Sequence, residues 1–128
     1  MFQAMDHKSI VIPLGHDPAA DDIIPLWKAP AKATIVAAYA TMTNALAANG
    51  TNYFSLTLRN GGTAGTATTS ISNTIGGTAG WSALLPQAFT MSSDEVAAGE
   101  CVQLDYNEEG TGTFTSMVVQ LDIVYGVG

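Results

Sequence analysis

Positive charge is scarce in this chain. Lys8, Lys28, Lys32 and Arg59 are its only basic residues, against eleven acidic ones, for a net charge of −7. The four are scattered, whereas affinity for phosphate comes from clustered Lys and Arg that release counterions, so neither nucleic acid nor an anionic membrane is an expected partner. Cysteine is nearly missing as well. A lone Cys101 excludes an intrachain disulfide and leaves stability to packing and sheet pairing, and a free thiol at the start of a strand is expected to be buried. Histidine is limited to His7 and His16, each beside an aspartate and each preceding the well-patterned strands. A metal centre on a β scaffold needs several ligands converging on one point, so both read as surface imidazoles. No apolar run approaches the ~20 residues of a membrane-spanning helix. Met1 to Lys8 lacks the basic start and apolar stretch of a secretory signal. With charged residues at only 12%, much of the surface must be built from Thr, Ser, Asn, Gly and Ala.

What the chain does have is two-residue alternation. In Phe114 to Tyr125 one side carries Met117, Val119, Leu121, Ile123 and Tyr125, and the other Ser116, Val118, Gln120, Asp122 and Val124. Cys101 to Asn107 likewise sets Val102, Leu104 and Tyr106 against Gln103, Asp105 and Asn107. Gly110 and Gly112 lie between these runs, so the spacing predicts a long terminal hairpin. Asn52 to Asn60 places Phe54, Leu56 and Leu58 opposite Tyr53, Ser55, Thr57 and Arg59. Ser9 to Leu14 and Ile23 to Trp27 carry Pro13 and Pro25, which confine them to sheet edges or strand ends. Ala33 to Thr43, rich in β-branched residues at its start, reads as strand. Thr66 to Ile71 and Leu84 to Met91 complete the set, with Leu85 and Phe89, and by the same spacing Met91, sharing a face.

Gly-Gly-Thr-Ala-Gly occurs twice, at 61–65 and 76–80, and reads as two loops of tight or mobile backbone. Single helical turns are expected at most at 45–48 and after the capping-box pattern of Ser92 to Glu95. Eight candidate strands without helical periodicity predict an all-β antiparallel two-sheet sandwich, most simply an eight-stranded jelly roll, with an immunoglobulin-like sandwich as the alternative. A chain of 128 residues and 13.2 kDa makes one domain, taken here as 9–128, preceded by an arm at 1–8. Its core should include Phe54, Leu56, Leu58, Val102, Leu104, Val119, Leu121 and Ile123.

Catalytic patterns are hard to find. There is no Gly-x-Ser-x-Gly elbow, and Cys101 has no histidine near it in sequence. The carboxylate pairs Asp21-Asp22, Asp94-Glu95 and Glu108-Glu109 lack EF-hand spacing and fall in loops or at outward positions. The glycine-rich pentapeptides lack the lysine of a phosphate-binding loop. The expectation is therefore a non-enzyme without a cofactor or metal. Phe2, Met5, Trp27, Tyr53 and Trp81 are the candidate interface residues. Trp81, directly after a glycine-rich turn, either closes one end of the sandwich or projects into a partner, and the reading leans to a partner because Leu84 and Leu85 already anchor the next strand. So few charges leave neutral surface to cover, which predicts a homo-oligomer, with a trimer favoured.

At Ala97 to Tyr106 and Met117 to Gly126, the chain resembles small all-β structural proteins of tailed bacteriophages, in particular head decoration, or cement, proteins of the jelly-roll type. The resemblance runs from about Ala33 to the C-terminus in texture and segment order, without a diagnostic motif. It implies an oligomer, often a trimer, on the outer surface of a phage capsid, bracing contacts between copies of the major capsid protein. No attachment residues follow from it. The alternative is a receptor-binding or fibre-tip jelly-roll module that recognises host glycans through a recessed aromatic or polar site.

Overall fold

The computed structural model describes residues 6–15, 21–112 and 114–126. The strands are β1 (Asp6–Leu14), β2 (Asp22–Lys28), β3 (Ala33–Met42), β4 (Tyr53–Asn60), β5 (Thr69–Gly76), β6 (Gln87–Ala88), β7 (Glu95–Val96), β8 (Cys101–Glu109) and β9 (Met117–Tyr125). The described residues contain no α-helix, only a 3-10 turn at Gly77–Ala79. One sheet has the order β1-β9-β3-β6, with β7 also paired to β3, and the other has the order β2-β8-β4-β5. All these pairings are antiparallel. With the two-residue β7 set aside, eight strands form two four-stranded sheets, and the chain changes sheet at most connections. This is jelly-roll connectivity.

Period-two alternation produces the core directly. On β4, Phe54, Leu56 and Leu58 point inward; on β8, Val102, Leu104 and Tyr106 do; on β9, Met117, Val119, Leu121 and Ile123 do. All eight expected core residues have no exposed surface. Ile10, Ile12 and Leu14 of β1 pack on the same core. Pro13 and Pro25 lie on β1 and β2, which are the edge strands of their sheets on one side of the sandwich, where a missing N–H breaks no inner ladder. The opposite side is closed by residues 87–92. Phe89 N–H donates to Ala38 O (2.9 Å), while Asn73 N–H donates to Thr90 O (2.9 Å) and Ser92 N–H to Ile71 O (2.9 Å), which ties β3 to β5.

The terminal hairpin does not form. β8 pairs with β2 and β4, whereas β9 pairs with β1 and β3, so the two runs face each other across the core. One buried face per strand is satisfied equally by a neighbour in the same sheet or by a strand in the opposite one. The connection crosses the sandwich with Phe114 buried in it, edge-on to Tyr106 (ring centroids 5.5 Å apart) and tilted against Phe54 (5.6 Å). Gly112 lies so close to the Tyr53 backbone that a Cβ there would overlap it.

Other boundaries also move. Asp6, His7 and Lys8 belong to β1, opposite Tyr125, Val124 and Ile123, so the proposed arm at 1–8 loses its last three residues to the sheet, and 1–5 lies outside the described residues. β5 begins later than Thr66 because Ala67 N–H donates to Gly61 O (2.9 Å) and closes the preceding loop. Where β4 and β5 shift register, the Ser72 hydroxyl accepts from Leu58 N–H (2.9 Å) and replaces the missing rung. Neither helical turn appears. Leu46 instead bridges Trp81, and Glu95–Val96 pairs with Ala33 and Thr34 of β3. The strand at 84–91 shrinks to Gln87–Ala88, and Leu85 and Phe89 do not share a face, since Leu85 is exposed and Phe89 is buried.

Candidate interaction surface

The register of the five-stranded sheet generates its outer face as cross-strand rows. Val11, Gln120, Tyr39 and Ala88 form one; Pro13, Val118 and Thr41 a second; Ser9, Asp122 and Ala37 a third; His7, Val124 and Thr34 a fourth. The fourth row continues from Thr34 to Glu95 of β7, so this face carries two carboxylates, Glu95 and Asp122, and Asp122 Oδ1 accepts from Ser9 Oγ and Gln120 Nε2, both at 2.8 Å. An irregularity between Ile35 and Ala37 turns Val36 outward, where it is 55% exposed. Val11 is 59% exposed on β1.

Beside this face, the approach to β6 forms an apolar knuckle. Ala83 bridges Met42 of β3, and Leu84 N–H donates to Met42 O (2.8 Å). Leu84 has a φ of 61°, a left-handed conformation that costs a side-chain-bearing residue roughly 1–2 kcal/mol. Leu84 and Leu85 are 74% and 56% exposed, and Pro86 follows them.

The outer face of the four-stranded sheet has the opposite character. Its outward positions include Asp105, Asn107 and Glu109 of β8, and Tyr53, Ser55, Thr57 and Arg59 of β4. Thr57 and Thr74 share a hydroxyl hydrogen bond of 2.6 Å. The 61–65 loop folds down over Gln103, whose Nε2 donates to Gly65 O (2.9 Å), while Arg59 Nε reaches Gln103 Oε1 at 3.4 Å. The carboxylate of Asp21 accepts from Glu108 N–H (2.7 Å), and Tyr106 donates its hydroxyl to Glu108 (2.7 Å). Two of the three acidic pairs therefore meet at one end of this sheet, and the third lies on the other sheet, with Asp94 just before β7 and Glu95 in it, opposite Thr34. Among the described residues, no group of three or more His, Cys, Asp or Glu is placed to hold a metal ion.

A small cleft of about 210 Å³ is lined by Asn60, Thr69, Ile71, Ser93 and Glu100, with Gly62 and Ala67. Its carboxylate has a local task, since Glu100 Oε1 accepts from Asn60 Nδ2 (3.1 Å) and Ala97 N–H (2.6 Å) and so ties the approach to β8 onto β4. No aromatic residue lines it.

The five candidate interface residues are not brought together. Phe2 and Met5 lie outside the described residues. Trp27 is half-buried on β2 against the core, and Tyr53 is half-buried at the start of β4, opposite Glu109. Trp81 folds back and closes the sandwich instead of projecting. It is 4% exposed, stacks on Phe54 at 5.1 Å with an interplanar angle of 13°, and donates Nε1–H to Phe54 O at 3.3 Å. Gly76 (φ 84°) makes room for the indole, where any Cβ would overlap the ring. Cys101 is half-buried, short of full burial, at a chain crossing where its N–H donates to Gly62 O (3.0 Å) and its carbonyl accepts from Gly61 N–H (2.8 Å). His7 is exposed on β1, and His16 lies outside the described residues.

The residues that the alternation missed are Val11, Val36, Leu84 and Leu85. These four are the exposed large hydrophobics among the described residues, and all belong to the five-stranded sheet or to the turn entering its β6 strand. One sequence signal pointed there: no charged residue occurs between Arg59 and Asp94, a span that contains the knuckle. Comparison with protein-family models, curated proteins and solved structures found no match to this chain.

Proposed function

We propose that this chain is a non-enzymatic virion structural protein that decorates and stabilises the outer surface of a phage capsid, as a homo-oligomer bound to the major capsid protein. The observation that carries the reading is the two-sidedness of the sandwich. Exposed Val11, Val36, Leu84 and Leu85 all lie on the side of the five-stranded sheet, beside the carboxylates of Asp122 and Glu95, whereas the outer face of the other sheet carries Asp105 and Glu109 and none of the exposed large hydrophobics among the described residues. Surface apolar groups gathered on one side mark a protein contact, and carboxylates on the far side keep an outward surface hydrated. The resemblance of the 97–106 and 117–126 segments to decoration proteins supplies the particle. A trimer fits that resemblance.

The glycan-binding alternative needs a recess with rings on which a sugar can stack. The cleft at Asn60 and Glu100, with no aromatic residue in its lining, is not such a recess.

The test is co-sedimentation of the purified chain with heads assembled from the cognate major capsid protein. Saturable binding at a fixed copy number per head is expected. Failure to sediment with heads, together with selective retention on a glycan array, would overturn the reading in favour of a receptor-binding module.

A further inference from the structure

We infer that Asn49-Gly50 is a modification site: in the folded chain Asn49 deamidates to aspartate or isoaspartate, while the second Asn-Gly pair, Asn60-Gly61, stays intact. The inference is independent of the capsid reading, since it concerns the chemistry of one loop.

The reaction begins when the Gly50 nitrogen gives its proton to solvent base and bonds to Asn49 Cγ. The Cγ–Nδ2 bond then breaks, and Nδ2 leaves as ammonia with a proton taken from water. Water opens the resulting cyclic imide at either carbonyl, so each event consumes water, releases ammonia and leaves a new carboxylate. Glycine favours the attack because no Cβ shields its nitrogen. The fold itself does not call for glycine here, since Gly50 lies outside the left-handed region and a Cβ added to it would meet nothing within 4 Å.

The structure separates the two pairs at the groups that react. Asn49 and Gly50 are both exposed, and among the described residues neither the Gly50 N–H nor Asn49 Nδ2 has a hydrogen-bond partner. Nucleophile and leaving group are therefore free. Asn49 Oδ1, by contrast, accepts from Thr51 N–H (2.8 Å) and Asn52 N–H (2.9 Å). Negative charge develops on this oxygen as Cγ becomes tetrahedral, and two main-chain donors already aimed at it stabilise that charge as an oxyanion hole does. At the other pair the same atoms are engaged. Gly61 is buried and its N–H donates to Cys101 O (2.8 Å), while Asn60 Nδ2 donates to the Glu100 carboxylate (3.1 Å). Attack there requires both bonds to break in a local opening, which keeps the reactive geometry scarce. Conversion at 49 adds a negative charge to the loop. Isoaspartate also lengthens the main chain by one carbon between two fixed points, the bond from Asn49 N–H to Thr78 O (3.0 Å) and the bond from Thr111 N–H to Asn52 Oδ1 (2.9 Å).

Peptide mapping by mass spectrometry, after the full chain is incubated in heavy-oxygen water at mildly alkaline pH, reads the reaction directly, because each new carboxylate retains a solvent oxygen. In the folded chain, label should accumulate at Asn49 and not at Asn60; in the guanidinium-denatured chain it should accumulate at both. Gly50→Ala should lose the label at Asn49 while leaving the thermal melt in place, since the added methyl group enters open space. The converted chain, more negative than the starting −7, should elute later from an anion exchanger, and this late species should be missing from Gly50→Ala. A folded chain in which Asn49 stays unlabelled overturns the inference, and so does equal labelling of Asn49 and Asn60. Undiminished labelling in Gly50→Ala would overturn the route through the Gly50 nitrogen.

Discussion

Trp81→Ala tests how the jelly roll is closed at one end. The indole is buried, lies nearly parallel to the Phe54 ring at 5.1 Å, and donates to Phe54 O at 3.3 Å. Truncating a buried tryptophan costs about 3–5 kcal/mol through lost transfer energy and the cavity left behind. That figure already contains the ring stack, worth about 0.5–1.5 kcal/mol, and a hydrogen bond with a net value near 1. The main-chain pair between Trp81 and Leu46, at 2.8 and 2.9 Å, survives the substitution, so the turn should persist while the cavity forms. Urea unfolding followed by far-ultraviolet dichroism, at one fixed protein concentration because association contributes to apparent stability, gives the loss directly. For a domain whose total stability is about 5–15 kcal/mol, a change of this size is unmistakable. Trp81→Phe should recover most of it, since the stack returns without the N–H donor. A loss below about 1 kcal/mol in Trp81→Ala would refute the core assignment and return Trp81 to the surface.

Two further outcomes check the register. Leu121→Ala should cost about 2–5 kcal/mol, against under about 1 for its outward neighbour Gln120→Ala, measured by the same unfolding curves, and equal losses would show that the inner and outer phases of β9 are reversed. Deleting residues 1–8 removes the β1 partners of Tyr125, Val124 and Ile123, so the melting temperature should fall; an unchanged melt would mean that the first three rungs of β1 contribute no stability.

The inner face of each long strand was legible because it depends only on local alternation. Phe54, Leu56 and Leu58 cannot leave the core without exposing all three, and a one-residue slip would reverse the whole face. Pro13 and Pro25 marked edges for an equally local reason. Strand partners were not legible in the same way. The patterns of β8 and β9 fit a hairpin as well as two facing sheets, and what separates them is the buried crossing at Phe114, a tertiary fact. The candidate surface was harder still. Val36 faces out because of an irregularity in the β3–β9 register, which alternation alone assigns to neither face. Leu84 and Leu85 look like strand anchors until the backbone is held at positive φ by a bond to Met42. Trp81 looked like a protruding anchor because the space that Gly76 leaves for it is visible only in three dimensions.

The central claim is that the side of the sandwich with the exposed apolar residues makes the assembly contact and the opposite side does not. Co-sedimentation with heads tests it most directly when a charge is introduced on each side in turn: Val36→Asp at an exposed position on the five-stranded sheet, and Thr57→Asp on the outer face of the four-stranded sheet. Val36→Asp should reduce bound copies sharply, because a carboxylate buried in a contact without a partner is strongly unfavourable, whereas Thr57→Asp should bind like the unmodified chain. Undiminished binding by Val36→Asp, with loss in Thr57→Asp, would contradict the account and move the contact to the opposite face.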